Sequence, residues 1–276
     1  TESESIKISG LVCRSFNVAY SRKSAQSSIQ SYFESQQVVG ISDVDTRAVV
    51  RHIRSKGAMN CIVSSETTDI DELKMRLAEV PSMAGLELAS TVTTSKPYFF
   101  GNPDSPLKVA VLDFGVKRNI LRSLAQRGCY LQVFPAATGY REIKKWEPNG
   151  ILLSNGPGDP GAMPWAVATV KDILADTLPL FGICLGHQLL AEASGIGTYK
   201  MFNGHRGINH PVKNIITGHC EITSQNHGFA VDDASLPSNV EVTHINLNDN
   251  TVEGLRHKEY PIFCVQYHPE AAPGPH

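Results

Sequence analysis

One segment limits the folds open to this chain more than any other. It is Phe181-Gly182-Ile183-Cys184-Leu185-Gly186-His187-Gln188. The apolar, strand-like run LPLFGI (178–183) passes directly into G-x-C-x-G, and a helical pattern, HQLLAEASG (187–195), follows at once. A side chain placed on so sharp a strand-to-helix turn needs strained backbone, and its neighbours crowd the turn. Glycines two residues before and two after remove the interfering Cβ atoms. The spacing predicts that Cys184 faces a cleft at the carboxyl end of a parallel sheet, where open α/β folds bind ligands. The N-terminus of the next helix favours the thiolate, and its N–H groups can hold an oxyanion. Taken alone, G-x-C-x-G also fits a structural cysteine between incidental glycines. The flanking strand and helix are what favour a nucleophile.

The surrounding pattern agrees with a layered α/β fold. From residue 108 the chain alternates: strand KVAVLDFG (108–115), amphipathic helix VKRNILRSLAQRG (116–128) closed by Gly128, strand YLQVFPA (130–136), then GILLSNGPGDPG (150–161), a strand entering a glycine-rich turn. A helix around 165–175 precedes the cysteine segment. This predicts a mostly parallel sheet flanked by helices. Residues 197–265 read as shorter strands and loops. TVTTSKPYFFGNPDSPL (91–107) has a linker's composition, with three prolines. Residues 1–90 therefore read as a separate, smaller α/β domain and 108–276 as the main one. In the smaller domain the pattern predicts a helix at 27–35, a short strand followed by a turn over 38–45 and a helix from about 46 to Lys56. That helix has Asp45 or Thr46 as cap and Gly57 just past its end. CIVSS (61–65) reads as a further strand and 69–80 as a further helix. Arg47, Arg51 and Arg54 share one helix face, which reads first as a solvated surface and second as a partner-binding one.

Near the end of the chain lies Phe263-Cys264-Val265-Gln266-Tyr267-His268-Pro269-Glu270. Residues i and i+2 of extended chain point to the same side, so His268 and Glu270 can meet. Pro269 keeps the preceding residue extended. A carboxylate bonded to one imidazole nitrogen leaves the other as a base. His-Pro-Glu by itself is weak; paired with the cysteine elbow it points to a Cys–His–Glu triad.

Composition excludes several function classes. The 276 residues are 41% hydrophobic and 19% charged with a net charge of -2, which offers no electrostatic footprint for nucleic acid. Apolar runs are strand-sized, so no membrane span is expected. Six widely spaced cysteines without a CxxC read as free thiols of a reducing, cytoplasmic compartment. Ten histidines raise the question of a metal, with His205 and His210 in one loop and His219, Cys220 and His227 soon after. Yet none of the ligand spacings of structural zinc sites is present, and no metal is expected. No phosphate-binding loop is present either, so any ATP chemistry belongs to a partner.

GICLGHQ with a downstream VQYHPE resembles class I glutamine amidotransferases. SNGPGDP (154–160) is similar to that family's oxyanion loop, and TSQNHGF (223–229) to the segment that closes over bound glutamine. ISDVDTRAVVRHIRSKGAMN (41–60), LDFGVKRNILRSL (112–124) and GHRGINHPV (204–212) resemble in particular the carbamoyl-phosphate synthetase small subunits, over nearly the whole chain. The resemblance implies that Cys184 attacks the side-chain amide of L-glutamine and that Gly156 and Leu185 supply the oxyanion hole. It implies that Gln188, Asn226, Gly228 and Phe229, with Gly158 beside them, line the glutamine site. His268 would protonate the departing ammonia and then activate water against a γ-glutamyl thioester, with Glu270 positioning it. It further implies a partner, the large synthetase subunit, which carries the ATP and divalent metal and makes carbamoyl phosphate for arginine and pyrimidine synthesis. No cofactor is implied in this chain.

The resemblance also implies an N-terminal β-rich stretch contributing a serine to the glutamine pocket, and a further C-terminal helix. Neither has a match here, so both ends are expected to be truncated. A different amidotransferase, a stand-alone cysteine hydrolase and a scaffold without catalysis are the competing readings. The joint presence of Cys184, His268 and Glu270 weighs against the scaffold.

Overall fold

The computed structural model describes residues 6, 8–21 and 27–271, and the final APGPH, beyond which the resemblance implied a helix, lies outside them. Two compact units divide at Ser82/Met83. The first contains β1 (Gly10–Val12), α1 (Ile29–Ser35), β2 (Val39–Ile41), α2 (Thr46–Lys56) and α3 (Ile70–Ala78). β1 and β2 pair in parallel. Asp45 caps α2 by accepting from the Ala48 N–H at 3.0 Å, and Gly57 ends that helix at φ 89°. Asp69 caps α3 through Asp71 and Glu72. None of these helices contains a buried residue. CIVSS (61–65) forms no strand. Its β-branched residues favour extended chain, but strand formation needs a partner edge, and no ladder is formed there.

The second unit holds α4 (Ala89–Val92), β3 (Tyr98–Phe100), β4 (Leu107–Asp113), α5 (Arg118–Gln126), β5 (Cys129–Pro135), α6 (Tyr140–Lys144) and β6 (Gly150–Leu153). It continues with α7 (Pro164–Ala175), β7 (Leu180–Ile183), α8 (Leu185–Ala193), β8 (Thr198–Asn214), β9 (Cys220–Val231), β10 (Val240–Asn246), β11 (Val252–His257) and β12 (Ile262–Val265). Among the described residues a ten-stranded sheet runs β3-β5-β4-β6-β7-β12-β11-β10-β8-β9. The block β5-β4-β6-β7-β12 is parallel, and the ladders outside it are antiparallel.

Period-two geometry sends neighbouring residues of the central strands to opposite faces. Leu112 and Leu153 join one buried cluster with α6, α7 and α8, while Val111 and Leu152 join another with Ile120 and Leu121 of α5. Helices thus cover both faces, as an unbroken apolar strand such as β6 requires.

Two further expectations change. The segment 91–107 is not only a connector: Tyr98–Phe100 adds an antiparallel edge strand to β5. An edge strand packs on one side only, so its sequence resembles a loop's. The segment 197–265 contains long strands, since β8 and β9 pair as a ribbon of 17 and 12 residues. His205 and His210 therefore sit on a strand, not in a loop. The ribbon's register shifts at 200/205 and 207/210 break simple alternation and hide it from pattern reading.

Candidate active site

β7 delivers Cys184 to the end of the parallel block, and α8 starts at the next residue. Cys184 has φ 54° and ψ -104°, a conformation costly for any residue with a Cβ. Its N–H donates to Val265 O at 2.9 Å, so the adjacent strand β12 holds the turn. The glycines act as predicted. A Cβ on Gly182 would lie 2.7 Å from Gly186 O, and one on Gly186 only 2.2 Å from Leu153 O. Cys184 is 5% exposed, with Sγ 3.9 Å from Asn226 O of β9.

β12 ends just before His268, whose N–H donates to Ser224 O of β9 at 2.9 Å. His268 Nδ1 and Glu270 Oε1 are 2.8 Å apart, both residues buried. A carboxylate only accepts, so Nδ1 carries a proton and Nε2 serves the thiol. Burial alone would lower the His268 pKa. The negative charge and hydrogen bond of Cys184, together with Glu270, outweigh burial and bring it up to about 9. Burial pushes the Glu270 carboxyl up, but its bond to His268, the charge of His268 and the charge of Lys117 hold it below its usual range.

Lys117 and Asn119 are partners of Glu270 to which sequence reasoning assigns no role. Lys117 Nζ lies 3.4 Å from Glu270 Oε1, and Asn119 Nδ2 donates to Glu270 O at 2.5 Å. They enter from the loop before α5 and from its first turn. That loop is pinned by Asp113, which accepts from the Gly115 and Val116 N–H groups, and by Asn155, which accepts from Lys117 N. Spacing along the chain carries no signal for these contacts.

The oxyanion-loop residues pack against the elbow. A Cβ on Gly156 would lie 2.3 Å from Phe114 O and 2.8 Å from Leu185 Cδ2. Only glycine fits there. Leu185 is the first residue of α8, so its N–H lacks an intrahelical acceptor, whereas the Gly186 N–H donates to Ser154 O. Gly158, at φ 107°, bridges Glu87, and its loop is tied down by Asp159 bonds to Gly85, Leu86 and Gly161.

Gln188 lies on α8, and Asn226, Gly228 and Phe229 lie on β9, whose Asn226 O is the atom 3.9 Å from Cys184 Sγ. The Gln188 amide donates to Phe229 O and to Gln266 Oε1, both at 2.9 Å. It therefore ties α8 to β9 and to the chain entering His268. Phe229 is buried and Asn226 exposed. TSQNHGF lies within β9, paired to β8, and is not a free loop. Burial lowers the His227 pKa to about 3, leaving a neutral ring.

The comparisons with known proteins meet this geometry. The class-I glutamine amidotransferase family matches residues 110–276, and the CPSase domain of the carbamoyl-phosphate synthase small chain matches residues 1–63. The carbamoyl phosphate synthase small chain of Chlorobaculum tepidum is 49% identical over 277 residues, covering 100% of this chain and 76% of the relative. This chain belongs to the carbamoyl-phosphate synthase small-chain family. A small chain from a Synechococcus species is 48% identical over 287 residues, spanning 73% of that relative. A solved structure from Thermoplasma acidophilum, described as one subunit of a GMP synthase, superposes with a TM-score of 0.52 at 25% identity, over 60% of this chain and 85% of that one. The small-chain family thus adds residues 1–63 to an amidotransferase unit, and Cys184, His268 and Glu270 all fall inside the amidotransferase match.

Proposed function

We propose that this small chain hydrolyses L-glutamine at Cys184 and passes the ammonia to a large synthetase subunit. The observation that carries this reading is the strained Cys184 at the start of α8, facing a His268–Glu270 pair at 2.8 Å. Cys184 Sγ attacks the γ-amide carbon, and the N–H groups of Gly156 and Leu185 hold the oxyanion. His268, protonated at neutral pH, gives its proton to the leaving nitrogen, and ammonia departs from a γ-glutamyl thioester. His268 then takes a proton from water, which attacks the thioester; glutamate leaves and the thiol is restored. Glu270 keeps the ring oriented. Gln188, Asn226, Gly228 and Phe229, with Gly158, form the glutamine site.

The large subunit supplies ATP, its divalent metal and bicarbonate activation, and turns the ammonia into carbamoyl phosphate. Six unpaired cysteines fit a reducing compartment, and we place the protein in the cytoplasm. No helix among the described residues is long and apolar enough to cross a membrane.

Cys184→Ser tests the division of labour. In a complex with a large subunit it is expected to abolish nearly all glutamine-dependent carbamoyl phosphate synthesis while ammonium salt still supports it. A near-normal rate with glutamine would sink the mechanism. Loss of the ammonia-dependent rate in an assembled complex would sink the two-site division.

A further inference from the structure

The β8–β9 ribbon and β11 enclose a cluster of polar side chains that the glutaminase chemistry does not use. His205 and His227 face each other as cross-strand partners, Gln225 is two residues from His227 on the same face, and Glu253 comes from β11. Their exposures are 6%, 6%, 2% and 0%. The proton positions can be worked out. His227 Nδ1 lies 2.7 Å from Phe229 O, which only accepts, so the proton is on Nδ1 and Nε2 of the neutral ring is a bare lone pair. His205 Nε2 lies 2.8 Å from Asp249 Oδ2, so Nε2 carries a proton. Burial lowers this ring's pKa but its bonds to Glu253 and Asp249 raise it overall, so Nδ1 is a lone pair in the neutral ring, the form that a metal takes. His205 Nδ1 and His227 Nε2 face each other at 3.1 Å. Gln225 Oε1 lies 3.0 Å from one and 2.8 Å from the other, and Glu253 Oε1 is 3.4 Å from His205 Nδ1.

With His205 neutral, four acceptors converge on one point inside the protein. Asn246 Nδ2 donates to Glu253 Oε1 at 3.0 Å and lies 3.4 Å from His205 Nδ1, which answers only part of that negative potential. The other Glu253 oxygen is buried without a hydrogen-bond partner among the described residues. A fully buried carboxylate with a bare oxygen is costly unless a cation lies beside it.

We propose that His205 Nδ1, His227 Nε2 and Glu253, with Gln225 Oε1 as a further oxygen, bind one divalent ion of the zinc class. Ligands about 2.0–2.2 Å from a shared ion lie roughly 3–3.5 Å from each other, close to the separations found here. Two imidazole nitrogens and a carboxylate suit zinc better than magnesium or calcium. Each histidine has its remaining N–H held by an acceptor, Asp249 or Phe229 O, the outer arrangement that fixes the tautomer a metal needs. The ion would staple β8, β9 and β11 together next to Asn226, and its role is structural. This departs from the sequence expectation of no metal. Cross-strand pairing assembles the ligands, so no zinc-motif spacing marks them.

The test is metal binding by the full chain, read independently of glutaminase activity. Protein purified with zinc and dialysed is expected to retain about one ion per chain by mass spectrometry, as a site with three or more protein ligands does. Cobalt in its place should give a visible d–d absorption band. Glu253→Gln and His205→Gln should lose both signals. Asp249→Asn alters only the half-exposed outer carboxylate, so the fold should persist while zinc binds about 10–100-fold more weakly. Uptake of neither metal by the wild type would overturn the proposal. Unchanged binding in the ligand variants, or unchanged zinc affinity in Asp249→Asn, would do so too. So would nitrogen NMR of zinc-supplemented protein showing the Gln225 NH2 group turned between the two imidazole lone pairs.

Discussion

At the scale of single residues, the thiol and its base form one electrostatic unit. His268 is held protonated well past neutrality, to about 9, because the stabilising charges of Cys184 and Glu270 exceed its burial cost. An ordinary histidine titrates near 6.5. Between those values the folded chain binds a proton that the unfolded chain has released, so stability falls as pH rises through that window. The contribution is complete below about 6.5 and gone above about 9. We expect the thermal midpoint of the wild type to decline more steeply from pH 6.5 to 9 than that of His268→Asn. Parallel declines in melting scans would show that the folded Cys184–His268 pair takes up no extra proton in that window. Lys117 strengthens the same unit from the other side by adding a cation 3.4 Å from Glu270 Oε1.

At the scale of elements, the elbow between β7 and α8 depends on close backbone approach. Gly186 lets α8 start against β6, where any Cβ would sit 2.2 Å from Leu153 O. Gly128, after α5, needs glycine for a different reason: its φ is 81°, but a Cβ there would meet nothing within 4 Å. Steric conflict with neighbouring backbone cannot be relieved by a rotamer change, whereas left-handed strain costs about 1–2 kcal/mol. Gly128→Ala should therefore lose about that much in urea unfolding. Gly186→Ala should lose at least about 3 kcal/mol or fail to fold. Equal losses would mean that β6 and α8 are not packed as described.

At the scale of the molecule, burial is distributed unequally. Among the described residues the buried hydrophobic side chains all lie beyond Ser82, from Ala89 to Val265, while α1, α2 and α3 bury none. A unit with so little buried apolar surface cannot offset its chain entropy alone. Expressed separately, residues 83–276 should melt cooperatively, and residues 1–82 should show no sharp transition by circular dichroism. A cooperative melt of the smaller fragment would refute this account of the two units.

What the sequence determined by itself is local. Two glycines around Cys184, an apolar run before it and a helical period after it are enough to define the elbow, because steric conflict in a tight turn involves only near neighbours. His268 and Glu270 meet because they are two residues apart in extended chain. The parallel centre of the sheet is legible for the same reason, since fully buried strands read as unbroken apolar runs. Tertiary structure decided the contacts between distant segments. Asn119 reaches Glu270 across 151 residues of sequence, and Lys117 arrives with it. The edge strand Tyr98–Phe100 and the β8–β9 ribbon depend on a partner's backbone and on shifted register, which side-chain periodicity does not encode. The His205–His227 pair exists only because that register places the two rings opposite each other. Such contacts are set by how packed layers bring backbones together, and no spacing along the chain records them.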